Sequence, residues 1–108
     1  MKELNFKVLN QGGPAANHGW IISQNDEIAV VTIDFKSKYC EIFATGGGNE
    51  DNCPTIYIQG GEHGLHLKEG LEKEPTEISF TDFPNYNILC SEFSRYSLYV
   101  TLVKNGVW

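Results

Sequence analysis

The three histidines of this chain are its nearest approach to a metal site. His63 and His66 stand three positions apart, a spacing that brings two side chains to one side of an α-helix. The glycine- and leucine-containing segment around them favours a strand, however, and in a strand positions three apart face opposite ways. His18 can join either of them only across sheets. We therefore expect no bound metal or other cofactor, and we keep a metal-dependent enzyme that uses His18, His63 and His66 as an alternative.

Nucleophilic catalysis has one candidate, Cys53, which precedes Pro54, follows a glycine run at residues 46–48 and is the thiol expected to be most exposed. A reactive thiolate needs a nearby positive charge or a helix N-terminus, and the surrounding sequence offers neither. The glycine run itself lacks the lysine and the following helix that phosphate-binding loops require. The sequence therefore predicts no catalytic residue, and we expect a protein that is not an enzyme.

The net charge restricts the classes of partner. The chain has 14 Asp and Glu residues against 8 Lys and Arg, which gives a formal charge of -6 at pH 7, and Arg95 is its one arginine. Affinity for nucleic acids comes largely from clustered Lys and Arg, so we expect no nucleic-acid partner. Carboxylates attract cationic surfaces instead, which favours a basic protein as the partner. The same charge also serves solubility alone, and charge does not separate the two.

The candidate binding residues are carboxylates of the acid-rich segments together with two aromatic side chains. Tight binding requires a desolvated apolar anchor inside a charged rim, and Tyr57 and Trp108 are the candidates for that anchor. The residues predicted to bind the partner are Glu50, Asp51, Tyr57, Glu62, Glu69, Glu72, Glu74, Glu77 and Trp108.

A second alternative uses aromatic residues without the acids. Trp20, Tyr39, Tyr57 and Tyr99 belong to apolar stretches, and aromatic rings on one face of a sheet can form a platform for a sugar. Core packing and cross-strand pairing explain the same rings. A carbohydrate- or small-ligand-binding module therefore stays open as an alternative function.

The first residues and the cysteines bear on the cellular compartment. Met-Lys-Glu-Leu-Asn-Phe-Lys carries charge where a secretory signal has an apolar core, and nowhere do about 18 apolar residues follow one another. We expect no membrane association. Cys40, Cys53 and Cys90 are odd in number and widely spaced, which fits neither a disulfide framework nor a zinc ribbon. We expect reduced, mostly buried thiols and a cytoplasmic protein; an oxidising compartment would instead favour a Cys40–Cys90 pair.

Short apolar stretches recur along the chain, separated by glycine, asparagine and proline. They predict strands at residues 4–8, 20–22, 28–35, 39–44, 55–59, 64–68, 78–81, 86–90 and 96–103. The connections are too short for parallel crossovers, so neighbouring strands should be antiparallel. The sequence predicts an all-β, single-domain antiparallel β-sandwich or flattened barrel of about eight or nine short strands over residues 1–108. Residues 28–35 should form a central strand, and residues 96–103 should lie inside a sheet.

The small size, the acidic balance, the many strands and the missing catalytic motif resemble the immunity proteins of bacterial contact-dependent inhibition and related toxin systems. The segments that carry the resemblance are Glu-Gly-Leu-Glu-Lys-Glu at 69–74 and Gly-Gly-Gly-Asn-Glu-Asp at 46–51. The resemblance implies a non-enzymatic protein with a single partner, a cognate basic toxin that is often a nuclease. It also implies binding tight enough that almost no free toxin remains in the producing cell.

Overall fold

The computed structural model describes residues 2–9, 16–35, 41–45, 53–59 and 76–107. Within these residues the chain forms strands and no helix, so the predicted all-β class is confirmed. The strands are β1 (Lys2–Glu3), β2 (Lys7–Leu9), β3 (Ala16–Gln24), β4 (Ile28–Phe35), β5 (Glu41–Thr45), β6 (Thr55–Gln59), β7 (Thr76–Ser79), β8 (Tyr86–Ser94) and β9 (Ser97–Lys104). The strand predicted at residues 64–68 lies outside the described part of the chain. No helix that could cross a membrane occurs in the ranges described.

The strands form two antiparallel sheets. One has five strands in the order β1-β3-β4-β9-β8, and the other has four in the order β2-β7-β6-β5. The sheets are not closed into a barrel, and apolar residues of both belong to one core cluster. The architecture is therefore that of a sandwich, in which each sheet has an inner face toward the core and an outer face away from it.

The core is built by the alternation of side chains along the strands. In β4 the inward positions include Val31 and Ile33, and in β9 they include Leu98 and Val100, all of which are fully buried. The four-stranded sheet contributes the equally buried Ile56, Ile58 and Ile78. Because β4 lies between β3 and β9, and β9 lies between β4 and β8, both strands are internal, as their apolar sequences predicted.

The prediction of one strand at residues 4–8 is wrong, because the chain changes sheets within this segment. β1 pairs with β3 in one sheet, whereas β2 pairs with β7 in the other. Between them the buried Leu4 donates its backbone N–H to the carbonyl of Gly19 at 2.8 Å. Asn5 then donates its backbone N–H to the Asp82 carboxylate at 2.9 Å. The alternating pattern runs unchanged through residues 3–8, so periodicity alone does not reveal the crossing.

Two strands are longer than the apolar stretches that predicted them, and each contains a bulge beside an apolar residue. β3 is irregular between Ile21 and Ser23, and β8 between Ile88 and Cys90. The extra residues, Ile22 and Leu89, are 40% and 48% exposed. A bulge shifts the inward and outward positions by one, so an apolar residue reaches the surface without the strand ending. Strands predicted at 20–22 and 86–90 are thus only the apolar parts of β3 and β8.

Candidate functional site

Tyr57 and Glu77, two of the residues predicted to bind a partner, form a cross-strand pair. They are register partners on β6 and β7. Their strand neighbours Ile56 and Ile78 point into the core, so Tyr57 and Glu77 belong to the outer face of the four-stranded sheet. Both side chains are half-buried. The structure therefore brings an aromatic ring and a carboxylate together on a surface, as an anchor beside an acid requires.

Seven of the predicted binding residues lie outside the described part of the chain. They are Glu50, Asp51, Glu62, Glu69, Glu72, Glu74 and Trp108. In sequence, Glu50 and Asp51 precede β6, and the four glutamates at 62–74 lie between β6 and β7. In sequence, the four glutamates thus lie between the strands that carry Tyr57 and Glu77, and Glu50 and Asp51 precede the strand that carries Tyr57.

Register also assembles a row of side chains on the outer face of the five-stranded sheet. Glu3 on β1 pairs with Trp20 on β3, and Trp20 pairs with Thr32 on β4. Thr32 in turn pairs with Tyr99 on β9, and Tyr99 pairs with Glu92 on β8. Two aromatic residues, two carboxylates and a threonine, one from each of the five strands, therefore cross the sheet in a single row, which we call the aromatic row.

The centre of the aromatic row is buried, whereas Tyr99 and the two glutamates at the ends of the row are exposed. Tyr99 is 42% exposed, whereas Thr32 between the two aromatic residues is 8% exposed. The Thr32 hydroxyl is buried without a hydrogen-bond partner in the described structure. A buried hydroxyl without a hydrogen bond is destabilising, so Thr32 lowers the free energy of unfolding.

The destabilisation caused by the Thr32 hydroxyl can be measured by replacing the residue. Valine has nearly the same shape as threonine but no polar group, so Thr32→Val should raise the free energy of unfolding by about 1 kcal/mol. Urea denaturation of both proteins measures the difference. A Thr32→Val protein less stable than the wild type would show that the hydroxyl is satisfied in solution. Thr101→Val, at a half-buried position on the next strand of the same face, is the matched control.

His18 lies beside the aromatic row and is engaged with its neighbours. Its ring stacks on Trp20 with centroids 5.3 Å apart and planes 12° apart. Its Nδ1 is 3.7 Å from the Glu3 carboxylate, and the contact is an ion pair when the imidazole is protonated. Both side chains are more than half exposed. His18 thus supports the position of Trp20 and adds a polar edge to it.

His18, Asp34 and Ser97 lie in the next row of the same face, but their order differs from that of a catalytic triad. Asp34 is the register partner of both His18 and Ser97. The Ser97 hydroxyl donates to the Asp34 carboxylate at 2.7 Å. A nucleophilic serine needs a histidine as its base, with the carboxylate behind that histidine. Here the carboxylate stands in the middle, an order that does not activate Ser97.

The metal alternative cannot be assembled from described residues. Among them no three His, Cys, Asp or Glu side chains are grouped closely enough to hold a metal ion. His63 and His66 lie outside the described ranges, and His18 contacts Glu3 and Trp20 as above.

The expected burial of the thiols is wrong for Cys90. Cys90 is exposed and Cys53 is half-buried, and both are free. Cys90 follows the bulge in β8 and pairs in register with Thr101, which places it on the outer face of the five-stranded sheet. The prediction that Cys53 is the most exposed thiol is therefore also wrong, because Cys90 is more exposed. Cys40 lies outside the described residues.

Sequence reasoning named Trp20 and Tyr99 as platform candidates but missed Glu3 and Glu92. The two glutamates are 89 positions apart, and their common row follows only from the strand order and register. Comparisons with family models, with curated proteins and with solved structures found no match.

Proposed function

We propose that the chain is a non-enzymatic binding protein that blocks a cognate basic toxin in the cytoplasm, as an immunity protein does. The observation that carries the proposal is the Tyr57–Glu77 pair on the outer face of the four-stranded sheet. Interface anchors are typically aromatic side chains surrounded by polar groups that exclude water. Tyr57 with Glu77 beside it has this composition on strands between which, in sequence, four of the glutamates lie.

Charge supports the same class of partner. The formal charge of -6 attracts a basic protein and raises its rate of association at low salt. Toxins that cut nucleic acids hold phosphates with cationic side chains, and clustered carboxylates can occupy that site in place of phosphate. The predicted binding residues Glu50, Asp51, Glu62, Glu69, Glu72 and Glu74 supply such carboxylates.

The proposal predicts a large loss of affinity on changing the pair. The full chain is mixed with candidate basic toxin domains, taken first from the genes beside its own, and binding is measured by calorimetry. Tyr57→Ala and Glu77→Lys should each weaken binding by about tenfold or more, because an aromatic anchor and a favourable charge are lost. Growth of cells that express the toxin should fall in parallel.

The control for charge is Asp26→Lys, which makes the same change in net charge at an exposed position in the turn between β3 and β4. It should leave affinity within about twofold of wild type if contact, not net charge, decides. Equal effects of Asp26→Lys and Glu77→Lys would contradict a site at Tyr57 and Glu77. A toxin domain that does not bind the wild-type chain at low salt would contradict the function itself.

A carbohydrate- or small-ligand-binding module is the second candidate, and the exposure of Tyr99 favours it. Tyr99 and Trp20 lie on an outer sheet face instead of in the core. A glycan screen of the full chain tests this function. Saturable binding of one glycan that is lost in Tyr99→Ala would support it, and a screen without hits would dispose of it.

A further inference from the structure

On the outer face of the five-stranded sheet, apolar side chains lie beside polar ones along β4 and β9. Outward positions of β4 hold Ile28 and Val30, which pair with Val103 and Thr101 on β9. Val103 is 4% exposed, although its register places it on the outer face and it does not belong to the core between the sheets. With Trp20 and Tyr99 these residues form what we call the aromatic face.

An antiparallel sheet with one solvated face usually carries polar side chains there. The outward positions of β4 instead hold the apolar Ile28 and Val30 as well as Thr32 and Asp34, and the Thr32 hydroxyl is buried and unpaired. Tyr99 is exposed and Trp20, Ile28 and Val30 are half-buried, so part of this apolar surface is open to solvent. Apolar surface with a polar border is typical of a site for another macromolecule. The composition of the aromatic face thus points to an interaction surface.

The charges at the border decide which macromolecule fits. Among described residues whose register places them on this face, the charged ones other than His18 are Glu3, Asp34 and Glu92, all acidic. A second copy of the chain, related by a twofold axis, would bring these carboxylates against one another. A cationic segment meets them with complementary charge.

We propose that the aromatic face is a second docking surface, which binds a cationic polypeptide segment that also bears apolar side chains. It lies on the opposite side of the sandwich from Tyr57 and Glu77, so its occupation is independent of the proposed toxin-binding function. One protein can therefore hold two basic partners, or two segments of different chains, at once.

The chemistry of the face suits arginine in particular. A guanidinium can lie over the exposed ring of Tyr99 while it donates to Glu92, its register neighbour. At the other end Glu3 and His18 border Trp20, whose ring is stacked on His18. Apolar side chains of the same segment would contact Val30 and Ile28 between these ends.

The probe is a synthetic amphipathic peptide of arginine and leucine, titrated into the ¹⁵N-labelled full chain and followed by NMR. A second peptide has glutamine in place of each arginine. The proposal predicts saturable shifts at amides of β3, β4 and β9 and at the indole N–H of Trp20. Affinity should fall at least about tenfold in Tyr99→Ala and should fall again at high salt. Tyr96→Ala removes a tyrosine of similar exposure, 46%, in the turn between β8 and β9 and outside the aromatic face. It is the matched control and should bind the peptide as the wild type does.

Several results would overturn the second surface. These are shifts confined to β6 and β7, equal binding of the glutamine peptide, unchanged affinity in Tyr99→Ala, or no saturable shift at all. Binding of a glycan at these amides without binding of the peptide would favour the carbohydrate function instead. None of these results touches the toxin experiment, because that experiment changes Tyr57 and Glu77 on the other sheet.

Discussion

Phe80→Ala should lose about 3–5 kcal/mol of unfolding free energy, a large part of the total for a domain of this size. The Phe80 side chain is fully buried in the core between the sheets. Its backbone N–H donates to the carbonyl of Pro54 at 3.0 Å, and its own carbonyl accepts from Phe83 at 3.1 Å. Alanine would leave a cavity at the point where β7 ends and the chain turns toward β8.

Urea denaturation followed by circular dichroism measures this loss. Phe80→Leu is the matched variant, because it keeps most of the buried volume and should cost well under half as much. Phe93→Ala is the second control, since Phe93 is only half-buried against the core and should cost less than Phe80→Ala. A Phe80→Ala protein within about 1 kcal/mol of wild type would show that the ring is not packed as described.

Gly19→Ala should cost about 1–3 kcal/mol, a large effect for the addition of one methyl group. A Cβ at Gly19 would lie 2.8 Å from Cε1 of Phe6 and 3.1 Å from Cδ2 of Leu4. The chain crosses from one sheet to the other at these two residues, and Leu4 is held there by its hydrogen bond to Gly19. The added methyl group therefore presses on the crossing that joins β1 to β2.

Thermal and urea unfolding of Gly19→Ala give its cost, and a double mutant identifies the cause. Phe6→Leu removes the nearest ring atoms, so Gly19→Ala should cost less in the Phe6→Leu background than in the wild type. Additive effects of the two substitutions would contradict the close contact between Gly19 and Phe6.

The strands that could be predicted are those that bury a regular pattern. The β-branched residues of 28–35 and the apolar residues of 96–103 identified β4 and β9 because these strands are internal and mostly regular in register. The bulges at Ile22 and Leu89 could not be predicted, because a bulge preserves the strand while it reverses the alternation. Residues 4–8 alternate correctly for a strand, and only the hydrogen bond of Leu4 to Gly19 shows where the chain leaves the first sheet.

The candidate sites are harder to predict from the sequence than the strands are, because they depend on the register between strands. Tyr57 and Glu77 were each predicted from residue type, but their pairing follows from the alignment of β6 with β7. Glu3 and Glu92 carried no signal, because single carboxylates near the two ends of a chain indicate nothing until five strands place them in one row. The net charge favours a basic partner without reference to the fold, and solubility explains the same charge.

Carboxylates on this sandwich are proposed to bind a cationic protein. The most direct test is to measure how the affinity of the full chain for the basic toxin domain changes with salt concentration. Calorimetry at low and at high sodium chloride, with wild type and Glu77→Lys, gives four dissociation constants, one for each protein at each salt concentration. Electrostatic binding predicts that high salt weakens the affinity of the wild-type complex by at least about tenfold. It also predicts that the difference in affinity between the wild type and Glu77→Lys is smaller at high salt than at low salt. A dissociation constant that does not change with salt, in either protein, would contradict it.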